Sequence, residues 1–161
     1  MSSTYIGVAL RREVETRAKN RCEYCLLHAD DAYFAHHVDH VIAEKHGGQT
    51  DADNLALCCA ECNLHKGSDL ASLSSSGRLV ALFNPRRQRW SAHFRIDGGE
   101  IVPLTDAGEV TVRLLDINNE ARVEIRETLA QLNRIRVANL CIEAEHEARG
   151  RIIKCARALA A

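Results

Sequence analysis

Four cysteines stand in two Cys-x-x-Cys pairs, Cys22/Cys25 and Cys59/Cys62, and between them runs His37-Val38-Asp39-His40-Val41-Ile42-Ala43. Thiolates are soft donors, and four of them close a tetrahedral zinc with no position left for a substrate. Asp39, and Asn63 directly after the second pair, are hard oxygen donors that suit Mg²⁺ or Mn²⁺ while leaving most of the coordination to water and phosphate. His40 adds an imidazole that titrates near neutral pH, so its neutral form can accept a proton from water. Residues 22–63 therefore hold the makings of two metal sites, one structural and one reactive.

The elements between the pairs must bring them together, because the gap from Cys25 to Cys59 is long for a single finger. β-Branched and aromatic content predicts a strand over residues 33–43. Gly47-Gly48 and the acidic residues of 44–53 predict a loop, and Asn54-Leu55-Ala56-Leu57 a second short strand. A short helix over 60–68, with Gly67 near its end, carries the second pair at its start. Only Cys59, not Cys58, gives the two-residue spacing to Cys62, so Cys59 is assigned as the ligand. Upstream, Leu10, Val14 and Ala18 recur every fourth residue in a helix capped by Ser3 or Thr4 and left through Asn20. Asp39 and His40 are neighbours, and neighbours on a regular strand face opposite ways, so a shared site requires the strand to bend or end there.

The Ser-rich stretch 70–77 reads as a linker. After it, residues 93–96, 101–105 and 110–117 are short apolar segments separated by Asp97-Gly98-Gly99-Glu100 and Asp106-Ala107-Gly108-Glu109, which predicts a three-stranded antiparallel meander. Asn118 or Asn119 then caps a long helix with Ala121, Ile125, Leu129 and Leu132 on one stripe, running toward Arg149 and Gly150. Cys141 and Cys155, in sequence of helical character, read as small buried hydrophobes. The organisation is thus α+β: an N-terminal helix and zinc module over 1–69, a linker over 70–77, and a basic stretch, meander and C-terminal helix over 78–161.

The ordered set Cys22-Glu23-Tyr24-Cys25, Val38-Asp39-His40-Val41-Ile42, Gly47-Gly48, Asp53-Asn54-Leu55 and Cys59-Ala60-Glu61-Cys62-Asn63 with Lys66-Gly67 resembles the HNH endonucleases of the ββα-metal fold, in the subgroup with a four-cysteine zinc. The resemblance covers about residues 21 to 68, and Phe83-Asn84-Pro85-Arg86 through Trp90 and His93-Phe94 is similar to an extension of bacterial members. It implies that His40 is the general base that takes a proton from water attacking a phosphodiester. Asp39 and Asn63 would hold one catalytic divalent cation, and Asn54 would fix the loop around the base through hydrogen bonds. The family pattern has His where this chain has Asn63, and an amide oxygen is the harder ligand of the two. The implied activity is metal-dependent cleavage of double-stranded DNA, by nicking or cutting, with 5′ phosphate and 3′ hydroxyl ends.

Lys66 lies three positions after Asn63, on the same side of the short helix, where an ammonium could meet a DNA phosphate. The net charge of −1 does not advertise nucleic-acid binding, yet residues 78–95 contain Arg78, Arg86, Arg87, Arg89 and Arg95 with no Asp or Glu. Arg86, Arg87 and Arg89 could track a phosphate backbone, or be paired with acids from the last helix. Aromatic residues are only 4%, which argues against a stacking platform for single strands. His37, two residues before Asp39, could assist the cation.

The N-terminus lacks the charged start and apolar stretch of a secretory signal, and no apolar run is long enough for a membrane helix, so a cytoplasmic protein is expected. Paired Cys-x-x-Cys motifs in a reducing compartment point to metal rather than disulfides. An apolar stripe on the last helix leaves monomer and homodimer both open. Two other functions compete. One is a catalytically silent zinc module that binds DNA or protein. The other is a zinc deaminase, which is disfavoured because no His-x-Glu precedes the second pair and four thiolates leave no open zinc position.

Overall fold

The computed structural model describes residues 5–135. It contains three two-stranded antiparallel sheets and five helices among those residues, an α+β arrangement. Helix α1, Val8–Arg17, starts after Gly7 with no side-chain cap; the expected caps at Ser3 and Thr4 lie outside the described residues. It ends at Ala18, and Lys19 and Asn20 then take left-handed conformations, φ 52° and 55°.

Strand β1, His37–His40, pairs antiparallel with β2, Leu55–Cys58, in the register Val38↔Leu57, Asp39↔Ala56 and His40↔Leu55. The expected strand over 33–43 shrinks to these four residues: Tyr33 and Phe34 are exposed, and the chain bends at Val41 and Ile42. All of β2 is buried because both faces are covered. Leu55 and Leu57 pack with Val14, Val38 and Ile6 against α1, whereas Ala56 and Cys58 join the large core on the other side. Helix α2, Ala60–Lys66, follows at once and closes on Gly67.

The Ser-rich stretch forms structure instead of a free tether. Strand β3, Ala71–Leu73, pairs with β4, Leu79–Ala81, and the serines make the turn between them, with Ser74 N–H donating to Arg78 O at 2.8 Å. Ser75 N–H also donates to Glu109 Oε1 at 2.9 Å, which fastens the turn to the next layer. After a single helical turn α3, Trp90–His93, strands β5, Phe94–Asp97, and β6, Glu100–Pro103, make a hairpin.

The third strand of the predicted meander is a helix: α4, Asp106–Leu114. Asp106-Ala107-Gly108-Glu109 resembles a turn in composition, but Thr105 Oγ1 accepts from Gly108 N–H at 3.1 Å and the acidic residues occupy the positive end of a helix. Gly108 is there for space, since a Cβ would lie 2.4 Å from His93 O. Helix α5, Glu120–Gln131, is capped by Asn119 Oδ1, which accepts from Ala121 N–H at 3.2 Å. Its buried side is Arg126 and Leu129, so the expected apolar stripe holds only in part: Leu129 is buried, whereas Ile125 and Leu132 are exposed. The helix ends at Gln131, and residues 136–161, including Cys141, Cys155 and the stretch toward Arg149, lie outside the described residues. One apolar cluster joins Cys22, Cys25, Cys59 and Cys62 to Phe83, Phe94, Ile101, Val110 and Leu129, so the cysteine region and everything from β5 to α5 share a core.

Candidate metal centre and active site

The four predicted sulfur ligands converge. Cys22, Cys25, Cys59 and Cys62 place their Sγ atoms within 4.8 Å of one another, all buried. Local geometry forces this: each pair turns back on itself, with Cys25 N–H donating to Cys22 Sγ and Cys62 N–H to Cys59 Sγ, both at 3.5 Å. Across the pairs, Cys25 Sγ and Cys59 Sγ are 3.6 Å apart. Tetrahedral zinc with Zn–S of about 2.3 Å has sulfur–sulfur edges of about 3.8 Å, so this cluster fits the ion with little movement. Charge points the same way. Burial pushes the Cys22 thiol up, while hydrogen bonds from Cys22, Cys59 and Cys62 hold Cys25 well below its ordinary value. Four buried sulfurs this close oppose each other's charge, and a divalent cation would compensate all four as thiolates.

Sequence reasoning missed one member of this site. Arg122, on α5, donates from Nη2 to Cys62 Sγ at 2.8 Å, and its Nη1 donates to Leu115 O at 2.8 Å and Asp116 O at 2.9 Å. Although burial opposes its charge, the neighbouring Cys62 and Cys25 sulfurs raise its pKa above the ordinary value. No local sequence signal marks it, because an arginine on a polar helix looks solvated.

Asp39 and His40 sit at the end of β1, as a shared site requires, but the pairing keeps them on opposite faces. Asp39 lies with Ala56 on the cysteine side, and His40 with Leu55 on the α1 side. His40 is buried, and its Nε2 lies 2.8 Å from Thr50 Oγ1 in the loop. Asp39 is one-fifth exposed, and its Oδ2 accepts from Lys66 Nζ at 2.9 Å. Lys66 was expected at the surface, facing phosphate. The structure turns it inward, only 2% exposed, where its ammonium also donates to His40 O at 2.8 Å and Gly67 O at 3.3 Å. Asn63, half-buried, lies one helical turn before Lys66. His37, at the exposed start of β1, shares the strand face of Asp39.

Asn54 ties the loop to the strand. Its Oδ1 accepts from Ile42 N–H at 2.9 Å, and its Nδ2 donates to Ile42 O and Gln49 O, each at 2.9 Å. Gly48 passes so close to this clamp that a Cβ would lie 1.7 Å from Ile42 O. The Gly-Gly pair divides its work, since Gly47 supplies a left-handed turn at φ 84°.

The basic stretch is partly neutralised by acids from elsewhere. Arg86 forms an almost buried ion pair with Glu23, whose other oxygen accepts from Leu57 N–H at 2.9 Å, so it braces the first cysteine pair. Burial pushes the Arg86 guanidinium down to about 10, with Arg17 adding to the effect. Arg78 pairs with Asp106, and Arg95 with Asp97 at 2.7 Å. None of these partners comes from α5. Arg87 and Arg89 are exposed.

Residues 22–69 match the family model for HNH endonuclease, and the chain carries an HNH domain over that stretch. Every candidate ligand and base described above falls inside it, as does Lys66, while Arg122 and the basic stretch lie beyond its end. At the level of the family, the match supports a nuclease role and a nucleic-acid substrate. No curated protein and no solved structure matches the chain. No helix among the described residues is long and apolar enough to cross a membrane.

Proposed function

We propose that the protein is a metal-dependent DNA endonuclease of the ββα-metal type, with β1, β2 and α2 as its ββα unit. The observation that carries this reading is the HNH match over 22–69 on a chain whose four cysteines already form a buried tetrad. The tetrad would hold structural zinc; β2 and α2 flank the second cysteine pair, so one ion fixes both elements that meet Asp39. His40 acts as general base. Thr50 engages the ring through Nε2, which leaves Nδ1 to take the proton from attacking water. Asp39 and Asn63 would hold Mg²⁺ or Mn²⁺, which supplies charge stabilisation at the phosphate and departing 3′ oxygen. Asn54 and Gly48 hold the loop that carries Thr50, and so set the ring. Arg87 and Arg89 are free to meet the backbone of double-stranded DNA; Arg86 acts through its pair with Glu23 instead.

Two observations favour a second reading, a catalytically silent zinc module. Lys66 already neutralises Asp39, and the pairing separates Asp39 from His40. Supercoiled plasmid incubated with Mg²⁺ or Mn²⁺ separates the two. Relaxation by the wild type and its loss in His40→Ala supports hydrolysis; equal relaxation by both proteins, or none by either, removes it.

A further inference from the structure

Beside the Asp39–Lys66 pair the fold leaves a cavity of about 340 Å³ that the chemistry above does not use. Its volume is that of a small-ligand site. Tyr24 and Phe83 lie behind its apolar floor, their rings nearly perpendicular with centroids 6.4 Å apart and almost wholly covered, and Val41 and Ile42 border it just past His40. Lys66 lines the wall nearest Asp39. The rim is polar and mostly of one kind. Asn84 Oδ1 is taken by Arg86 N–H at 2.8 Å and Gln88 Oε1 by Asn84 N–H at 2.7 Å, so each amide turns its oxygen to the backbone and keeps its NH₂ to give. Arg87, exposed on the same rim, adds a guanidinium, and Asp69 is the one carboxylate.

A ligand for this cavity must offer a compact body with apolar surface, an edge rich in acceptors, a group that can donate to one carboxylate, and an anion for Arg87. We propose that it receives one unpaired nucleotide of the DNA substrate, with the base in the cavity against its apolar wall and the phosphate toward Arg87. This rests on the nuclease reading. The substrate class is then DNA that gives up a base cheaply, such as a mismatch or bulge, because extrusion from a sound duplex costs stacking and pairing. The cavity's place beside Lys66 would set the extruded nucleotide near the phosphate that Asp39 and His40 address.

The test reads binding alone, by fluorescence anisotropy with zinc-loaded protein and no added Mg²⁺ or Mn²⁺. Labelled duplexes carry either full pairing or a single mismatch. Wild type should prefer the mismatch by roughly tenfold. Two variants address the cavity without touching the zinc ligands, Asp39 or His40. Ala81→Trp fills it from an exposed position on β4. Gln88→Glu keeps the acceptor for Asn84 N–H and replaces the rim donor by a repelling oxygen. Both should lose the preference while still binding paired duplex and melting like the wild type. Free dAMP should compete with the mismatched duplex for wild type and not for Ala81→Trp, whereas inorganic phosphate should not compete. No preference in the wild type, or the same preference in all three proteins, overturns the proposal. Competition by dAMP without preference for the mismatch also overturns it, since the cavity would then serve free nucleotides. Plasmid relaxation is scored separately, so nicking without mismatch preference sinks the pocket alone, and preference without nicking sinks the nuclease reading alone.

Discussion

Replacing Lys66 by Met tests the least anticipated feature of the site. The ammonium is 2% exposed and holds three acceptors: Asp39 Oδ2, His40 O and Gly67 O. Methionine fills nearly the same space, so the cavity term is small and the loss is electrostatic. Removing one partner of a fully buried ion pair costs about 3–5 kcal/mol, because the other charge stays buried without compensation. Asp39 is 21% exposed and recovers part of its hydration, which lowers the figure to roughly 2–3 kcal/mol, including the carbonyl left without its donor. For a chain of this length that is a fall in Tm of roughly 4–12 °C, read by circular dichroism on zinc-loaded protein. Lys66→Met combined with Asp39→Asn should be more stable than Lys66→Met, since the stranded charge is gone. A Lys66→Met protein within about 0.5 kcal/mol of the wild type would refute the claim that this pair holds α2 to β1.

Three further outcomes follow from the same geometry. Cys59→Ala, or exposure to a strong chelator, should unfold residues 22–69 as seen by hydrogen exchange, since zinc binding contributes on the order of 10 kcal/mol to such modules; unchanged protection would contradict the tetrad. Arg122→Met should leave the four sulfurs in place but speed zinc transfer to a colorimetric chelator by roughly 10- to 100-fold, and equal rates would show that its bond to Cys62 is incidental. Gly48→Ala drives a Cβ into Ile42 O and the Asn54 amide, so the loop must move, and a loss of more than about 2 kcal/mol in urea melts is expected; a neutral result would mean that the loop is not clamped as described.

The sequence made the tetrad legible because ligand spacing is local: each Cys-x-x-Cys turn follows from a few consecutive residues, and Cys59 rather than Cys58 caps α2 and joins the tetrad. The expected irregularity falls at His40, where β1 ends, but the pairing still sets Asp39 and His40 on opposite faces, so the shared site behind that expectation does not follow from the strand. Partnership across distance was not legible. Lys66 is an ordinary helical lysine until β1 brings a carboxylate and a carbonyl above it, and Arg86 is one basic residue among several until it meets Glu23, 63 positions earlier. The helix α4 was missed because Gly108 reads as a turn residue, whereas its small size serves close packing against His93. Short apolar segments of strand length cannot be separated from short helices by periodicity alone.

Those long-range partners imply an order of events. The cysteine region offers little apolar surface of its own: α1 covers one side of β2, and the other side is the tetrad and residues contributed from 82–135. Arg122 bonds Cys62 only when α5 is in place, and Arg86 reaches Glu23 only when the β4–α3 connection is. Metal binding alone would therefore pin the two cysteine pairs but leave one face of β2 open, and packing of the later elements alone would bury thiols that disfavour charge. Each makes the other cheaper, so zinc occupancy and docking of α5 should rise and fall together. A titration in which zinc uptake by native cysteines precedes protection of the α5 amides, with a wide separation in concentration, would break that coupling.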